Sequence, residues 1–176
     1  LLLKKWIRDL ESRGIFYYSI DDSNYPHILK NIPDPPLGIY VKGKVSALDK
    51  RFLAIVGTRR CSEYGRRAAR KLAEELSYKG FGIISGLAQG IDTEAHKATI
   101  EAEGMTAAVV AHGLDLCYPA SNEKLMDTIE EKGVIVSEHP PGRKPIPGLF
   151  PARNRIISGL SEGVIIIEAG EKSGAL

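Results

Sequence analysis

Cysteine is nearly absent from this chain. Cys61 and Cys117 are its only two, too few and too far apart for a disulfide framework, a C-x-x-C redox pair or a zinc site, so a reducing cytoplasm is the expected compartment. No apolar run approaches the roughly 20 residues that span a bilayer. Leu1 to Leu3 is followed at once by Lys4 and Lys5, which is not the order of a signal peptide. A charge excess is missing too: the net value is +2, which by itself says nothing about nucleic acid. With 26% charged residues and 43% hydrophobic ones, the chain is neither collagen-like nor low-complexity, and its 176 residues suffice for one cored domain with a small appendage. An initiating methionine is also lacking, and the chain stops at Ser-Gly-Ala-Leu, inside what reads as a further helix. Both ends are therefore expected to be cut.

What is present centres on Phe52 to Gly65, FLAIVGTRRCSEYG. Five apolar residues run into Gly57-Thr58-Arg59, and a helical pattern starts at Ser62 or Glu63, which predicts strand, tight turn and helix. In an open parallel sheet such a turn lies at the carboxyl edge of a strand, where loop amides face an anion. Charge is distributed to match, with a net +2 over residues 1–50, +5 over 51–80, −7 over 81–139 and +2 over 140–176. The rhythm then repeats. Apolar strands are predicted to begin near 52, 82, 106, 134 and 163, with helices between them, and Lys79-Gly80, Glu103-Gly104 and Lys132-Gly133 read as left-handed glycine stops. The fold class expected is α/β, a parallel Rossmann-like sheet with helices on both faces. Before it, residues 1–14 read as the remnant helix of an N-terminal domain and 15–50 as an extended lead-in with one short strand, Ile39 to Val41. Residues 51–176 form the Rossmann-like domain, truncated at its C-terminal end. On the helix from Glu63 to Lys79, Ala68, Ala69, Leu72 and Leu76 share one face, and Arg66, Arg67, Arg70 and Lys71 read as a solvated one.

Each strand runs into a polar loop: Gly57-Thr58-Arg59; Ser85-Gly-Leu-Ala-Gln-Gly-Ile-Asp92; His112 to Pro119; Ser137 to Lys144; and Glu168 to Gly174. Gathered on one edge, these loops make a groove of amide donors with Arg59, Arg153 and Arg155 in it. A dinucleotide is a poor occupant, because no G-x-G-x-x-G follows the first strand and Ser85 stands where a ribose-binding acid is needed. Gly170-Glu-Lys-Ser173 lacks the Gly-Lys pair of a phosphate-binding P-loop. His27, His96, His112 and His139 are scattered, so no nucleophile and base pair is legible, and Glu138-His139 lacks partners for a metal. A flexible polyanion suits the groove better, with phosphates on loop amides and arginines. Phe150 reads either as a stacking surface for a base or as an anchor beneath the following helix. Little base-specific readout is expected.

The ordered series Tyr25-Pro26, Leu37 to Gly43, Ile55-Val-Gly-Thr-Arg59 with Tyr64-Gly65, Ser85 to Asp92 with Ala95-His96, Gly113 to Pro119, Ser137-Glu138, Phe150-Pro-Ala-Arg-Asn-Arg-Ile-Ile-Ser-Gly-Leu-Ser161 and Ser173-Gly174 closely resembles the DNA-processing protein A family, DprA or Smf. The resemblance covers about residue 20 to the end. It implies a non-enzymatic protein that binds single-stranded DNA, forms a homodimer and helps load a RecA-type recombinase in DNA uptake and natural transformation. It implies no cofactor, no metal and no membrane. The DNA-binding residues expected are Gly57, Thr58, Arg59, Ser85, Gly86, Gln89, Gly90, Asp92, Gly113, Phe150, Arg153, Asn154, Arg155, Ser173 and Gly174. The family often carries a basic residue where this chain has Gln89, which puts a phosphate contact there in doubt. The alternative reading is a nucleotide phosphoribohydrolase-like enzyme of the lysine-decarboxylase-like superfamily, with Glu168 as its acid. Against it, Glu168 to Gly174 keeps an acid and glycines but not the P-G-G-x-G-T loop. A third reading is a protein-binding module whose groove is vestigial.

Overall fold

A computed structural model describes residues 2–170 together with Ser173 and Gly174. Its strands are β1 (Ile15–Ser19), β2 (Gly38–Gly43), β3 (Phe52–Gly57), β4 (Gly82–Ser85), β5 (Thr106–Val110), β6 (Val134–Ser137) and β7 (Val164–Ile167). The helices are α1 (Leu2–Ser12), α2 (His27–Lys30), α3 (Glu63–Tyr78), α4 (Ile91–Glu101), α5 (Glu123–Lys132) and α6 (Leu149–Gly159). All seven strands form one sheet in the order β1-β2-β6-β5-β4-β3-β7. From β6 to β7 the neighbours are parallel, while β2 runs antiparallel to β6, and β1 to β2. Among the described residues no helix is long and apolar enough to cross a membrane.

Side chains alternate along these strands because successive Cβ atoms leave a pleated strand on opposite faces. Ile39, Val41, Phe52, Ala54, Ile84, Ala107, Val109, Val134 and Val136 point to one face, where Ile156 and Ile157 of α6, Leu160 just after it and Leu29 of α2 cover them. The other face carries Ile55 and Ile83 against Ala69, Ala73, Ile91 and Ala95 of α3 and α4. Further along it, Tyr40, Ala108, Val110 and Ile135 meet Met126 and Ile129 of α5 and Leu10 of α1. Near-continuous apolar strands follow from this two-sided cover.

The lead-in differs from its expected form. Two strands form there instead of one, and both are hydrogen-bonded into the main sheet, with Tyr40 opposite Ser137 and Gly43 opposite Val134. The reason is burial on both faces: Ile39 and Val41 enter one core and Tyr40 the other. Across the second face, Trp6 of α1 lies 5.6 Å from Tyr17 and 6.2 Å from Tyr40.

Helix α3 starts where its sequence predicts, with Ser62 accepting a hydrogen bond from Gly65 N at 3.1 Å. Of the three glycine stops, only Gly80 has a left-handed φ, +84°. At the second joint it is Glu103 that turns left-handed, with φ 55°. A side chain on Gly104 would meet Ser77 Oγ, and one on Gly133 would meet the Thr106 carbonyl. Those two glycines answer crowding between elements, which the sequence pattern does not distinguish from a helix stop.

Candidate nucleic-acid interface

Strands β3 to β6 step one way across the sheet, and β7 returns to the far side of β3. At that reversal the carboxyl ends of neighbouring strands diverge into a crevice. A groove of about 910 Å³ opens there, between α6 and the β3/β7 end of the sheet. Val56, Val164 and Ile166 contribute apolar surface to it. Gly57, Thr58, Arg59, Asp92, Phe150, Arg153, Asn154, Arg155, Ser173 and Gly174, all expected at the site, line it together with Arg60, Pro147, Pro151 and Ser158.

Thr58 ties three loop mouths together. Its amide donates to the Glu168 carbonyl at 3.0 Å, its own carbonyl accepts from Ile91 N at 3.2 Å, and its Oγ1 accepts from Arg60 N at 3.2 Å. A Cβ on Gly57 would strike the Ile167 carbonyl, and one on Gly90, where φ is +78°, would strike that of Thr58. Glycine at both positions lets the β3, β4 and β7 mouths lie side by side. Gly90 itself lines neither the groove nor the small cleft beside it.

The second loop uses its polar groups inward. Asp92, buried, accepts from Gly86 N at 3.1 Å and Ala88 N at 3.3 Å. Ser85 Oγ donates to the Ile55 carbonyl at 2.6 Å and is buried, so it does not reach the groove. Asn122 Nδ2 holds the Leu87 carbonyl at 2.9 Å. Two amides of this loop, one of them that of Gly86, a residue expected at the DNA, are thus already taken by Asp92.

The three arginines sort differently. Arg153 is 7% exposed and donates to the carbonyls of Gly86 (2.9 Å) and Val109, while its Nε donates to Asn154 Oδ1 at 3.1 Å. Burial pulls its pKa down to about 10, opposed by the Asp92 carboxylate, with the Arg59 charge adding to the fall. Burial in turn pushes Asp92 up, opposed first by Arg153 and then by the Ala88 and Gly86 amides. Gly86 is a glycine because the Arg153 guanidinium occupies the place of its Cβ. Arg155 donates to both carboxylate oxygens of Glu138, at 2.9 and 2.6 Å, and to Asp34 at 2.9 Å. Its charge is matched twice over, and it fastens the lead-in to α6. Arg59 and Arg60 are exposed, and the Arg59 guanidinium carbon sits 5.3 Å from the Phe150 ring centre. Arg153 therefore acts as a buried strut and Arg59 as the cation that faces solvent. An arginine's charge is legible in sequence; which carbonyls it will find is not.

A cleft of about 90 Å³ adjoins the groove and shares Arg59, Ala88 and Phe150 with it; Gly86, Gln89, Tyr118 and Pro119 complete it. Tyr118, absent from the expected site residues, lies 5.5 Å from Phe150. The Tyr118-Pro119 pair marks a loop in the sequence, but nothing in its spacing announces a contact 32 residues away. Gly113 is buried and lines neither space: its amide donates to the Arg143 carbonyl at 2.9 Å, and a Cβ there would meet Asp115 and the Pro140 carbonyl. It joins the loops after β5 and β6. Asn154 Nδ2 donates to the Gly174 carbonyl at 2.6 Å, which brings the far end of the described chain onto α6.

Glu168 and His96 are bound into the frame. Glu168 accepts from Ser62 N at 2.7 Å and from Ser62 Oγ, and those hydrogen bonds hold its carboxyl below the usual range. Gly65 is a glycine because that carboxylate fills the space of a Cβ. His96 is fully buried, with Nδ1 at 2.7 Å from Thr106 Oγ1, and burial pulls its pKa down to about 3. The Thr106 hydroxyl donates to the Ile83 carbonyl, so the His96 proton sits on Nδ1. Burial pushes the Cys117 thiol up.

The sequence and the fold both have counterparts among known proteins. At 46% identity over 93% of this chain and 56% of the relative, the chain is similar to a DNA processing protein DprA of Bacillus subtilis. Among solved structures, DprA of Streptococcus pneumoniae superposes with a TM-score of 0.88 at 39% identity, over 98% of this chain and 63% of that one. The Helicobacter pylori protein, described for its single-stranded DNA binding mode, gives 0.82 at 36% identity over 90% and 72%. The chain spans about half the length of the curated relatives it matches. The sequence model of DNA recombination-mediator protein A matches residues 16–176, a stretch that takes in β2 to β7. By that match and those identities, this chain belongs to the DNA recombination-mediator protein A family.

Proposed function

We propose that the chain binds single-stranded DNA along the groove between α6 and the β3/β7 end of the sheet. The observation that carries this is the junction of groove and cleft, where exposed Arg59 lies over the Phe150 ring. A cation beside an aromatic surface, on an open rim, suits a strand whose phosphates and unpaired bases are both accessible. A duplex keeps its bases stacked inside and offers such a surface only phosphates. The H. pylori likeness supports the same reading. Binding rests on Gly57, Thr58, Arg59, Phe150 and Asn154 at the surface, with Ser85, Gly86, Asp92 and Arg153 as the frame beneath. At the level of the whole protein, the bound strand is passed to a RecA-type recombinase in the cytoplasm by a homodimer, without chemical turnover.

Fluorescence anisotropy of a labelled dT oligomer, with duplex competitor and two salt concentrations, tests the binding. Single strands are expected to win, and Arg59→Ala is expected to weaken binding about tenfold and flatten the log K against log salt slope by about 0.7, one phosphate contact on a single strand. Equal affinity in the native protein and Arg59→Ala would remove the basis of the reading. For the recombinase step, filament assembly on protein-coated DNA should accelerate when the protein is added; no acceleration would oppose that part alone.

The enzymatic reading loses ground on Glu168. Its carboxylate is spent on Ser62 N and Ser62 Oγ at the start of α3, and Glu168 lines neither the groove nor the cleft beside it.

A further inference from the structure

We infer that Glu168 is a positioning residue for the loop that carries Arg59: it clamps both feet of the arch from Thr58 to Ser62 and so holds that arginine ready for a phosphate. The inference rests on the single-strand reading above and gives a role to an acid that lines neither the groove nor the cleft. At the first foot the Thr58 amide donates to the Glu168 carbonyl at 3.0 Å. At the second, Ser62 N donates to one oxygen of the Glu168 carboxylate at 2.7 Å, and Ser62 Oγ donates to the other. Arg59 and Arg60 stand between the feet, exposed.

One residue reaches both feet at the point where the chain leaves β7. Glu168 has a left-handed φ of 51° there, unusual for a residue with a Cβ, and its carbonyl and carboxylate meet the same arch. Glycines make room on either side. A Cβ on Gly65 would collide with the Glu168 carboxylate, and one on Gly90 with the carbonyls of Thr58 and Arg59. Within the arch, Arg60 N donates to Thr58 Oγ1 at 3.2 Å. The backbone that carries Arg59 is therefore fixed at both ends and across its span before a strand arrives, and a loop already ordered loses little freedom on binding. The bonds from Ser62 also hold the Glu168 carboxyl below its usual range, so at neutral pH the clamp is charged. A carboxylate beside the path of a polyanion repels it if it does nothing else. Clamp and bare charge thus have opposite consequences for affinity.

Glu168→Gly removes the side chain and suits the left-handed turn, so it opens the second foot without straining the first. Glu168→Gln removes the charge and keeps an acceptor for Ser62 N. These two, Arg59→Ala and the double variant Glu168→Gly/Arg59→Ala are compared with native protein by anisotropy of a labelled dT oligomer and by hydrogen exchange at the Ser62 amide. Glu168→Gly is expected to bind about 2- to 10-fold more weakly, the cost of ordering one long side chain, and to exchange the Ser62 amide faster. Glu168→Gln is expected to bind within about twofold of native. In the Arg59→Ala background, Glu168→Gly is expected to change affinity by less than about twofold, because the clamp acts through Arg59. An equal loss in both backgrounds would overturn the inference, since a general weakening of the fold does not depend on Arg59. Tighter binding by Glu168→Gly would overturn it by exposing a repelling charge and no clamp, and native affinity in that variant would do so while leaving strand binding intact. Glu168→Gln as weak as Glu168→Gly would overturn the hydrogen-bonded clamp. No binding by native protein would bring down the single-strand reading, and the inference with it.

Discussion

Arg59 and Arg153 stand in neighbouring walls of one groove and act oppositely. Arg153 is the counter-charge of buried Asp92 and holds the Gly86 carbonyl. Replacing it with methionine leaves a buried carboxylate alone, which costs about 3–5 kcal/mol; a urea titration should show that loss, whereas Arg59→Ala should stay within about 0.5 kcal/mol of native. His96 sets a pH dependence. Its folded pKa, about 3, lies below the ordinary 6.5, so between those values the unfolded chain binds the extra proton. Stability is therefore full above about pH 6.5 and falls by up to ~1.4 kcal/mol per unit as pH drops toward 3. Urea midpoints from pH 7 to 4 check this, and the His96→Gln variant, which cannot titrate there, should show a shallower decline. At this scale the sequence displayed residue types and not their partners. Nothing in Phe-Pro-Ala-Arg-Asn-Arg says that the first arginine turns into the core and the second onto Glu138 and Asp34.

Periodicity served the elements well where each buries its own apolar face. The strands at Phe52, Gly82, Thr106 and Val134 start where the apolar runs predict, and α3 starts at its serine cap. That cap joins two elements, since Ser62 accepts from Gly65 N and donates to Glu168 after β7. Ser62→Ala should lower stability by about 1 kcal/mol, read from the urea midpoint, while Ser62→Asp, also a good cap, should lose more than its capping rank implies because it meets the Glu168 carboxylate. The lead-in carries a weaker periodic signal. Ile15–Ser19 is short, and its alternation is weak because Phe16 and Tyr17 are each 38% exposed; pairing to β2 makes it a strand, and pairing is invisible along a single chain. The glycine joints were misleading for a related reason, since Gly104 and Gly133 respond to neighbours across space.

For the molecule as a whole, β2 links the lead-in to the parallel strands through β6. One cooperative unit is therefore expected, and Trp6, packed on Tyr17 and Tyr40, reports on its far edge. Urea unfolding followed by Trp6 fluorescence and by far-ultraviolet circular dichroism should give coincident transitions; an earlier Trp6 transition would mark residues 1–50 as a separate unit. The sequence by itself determined the α/β alternation, the loops that follow each strand and the family, because those are written in local periodicity and in an ordered series of motifs. Tertiary structure alone decided which polar groups face the groove. Strand order brought the β3 and β7 ends together, and burial then consumed Asp92, Arg153 and two loop amides inside the frame while leaving Arg59, Phe150 and Tyr118 outside. A buried charge must find a partner and an exposed one need not, so the sorting depends on which elements pack together.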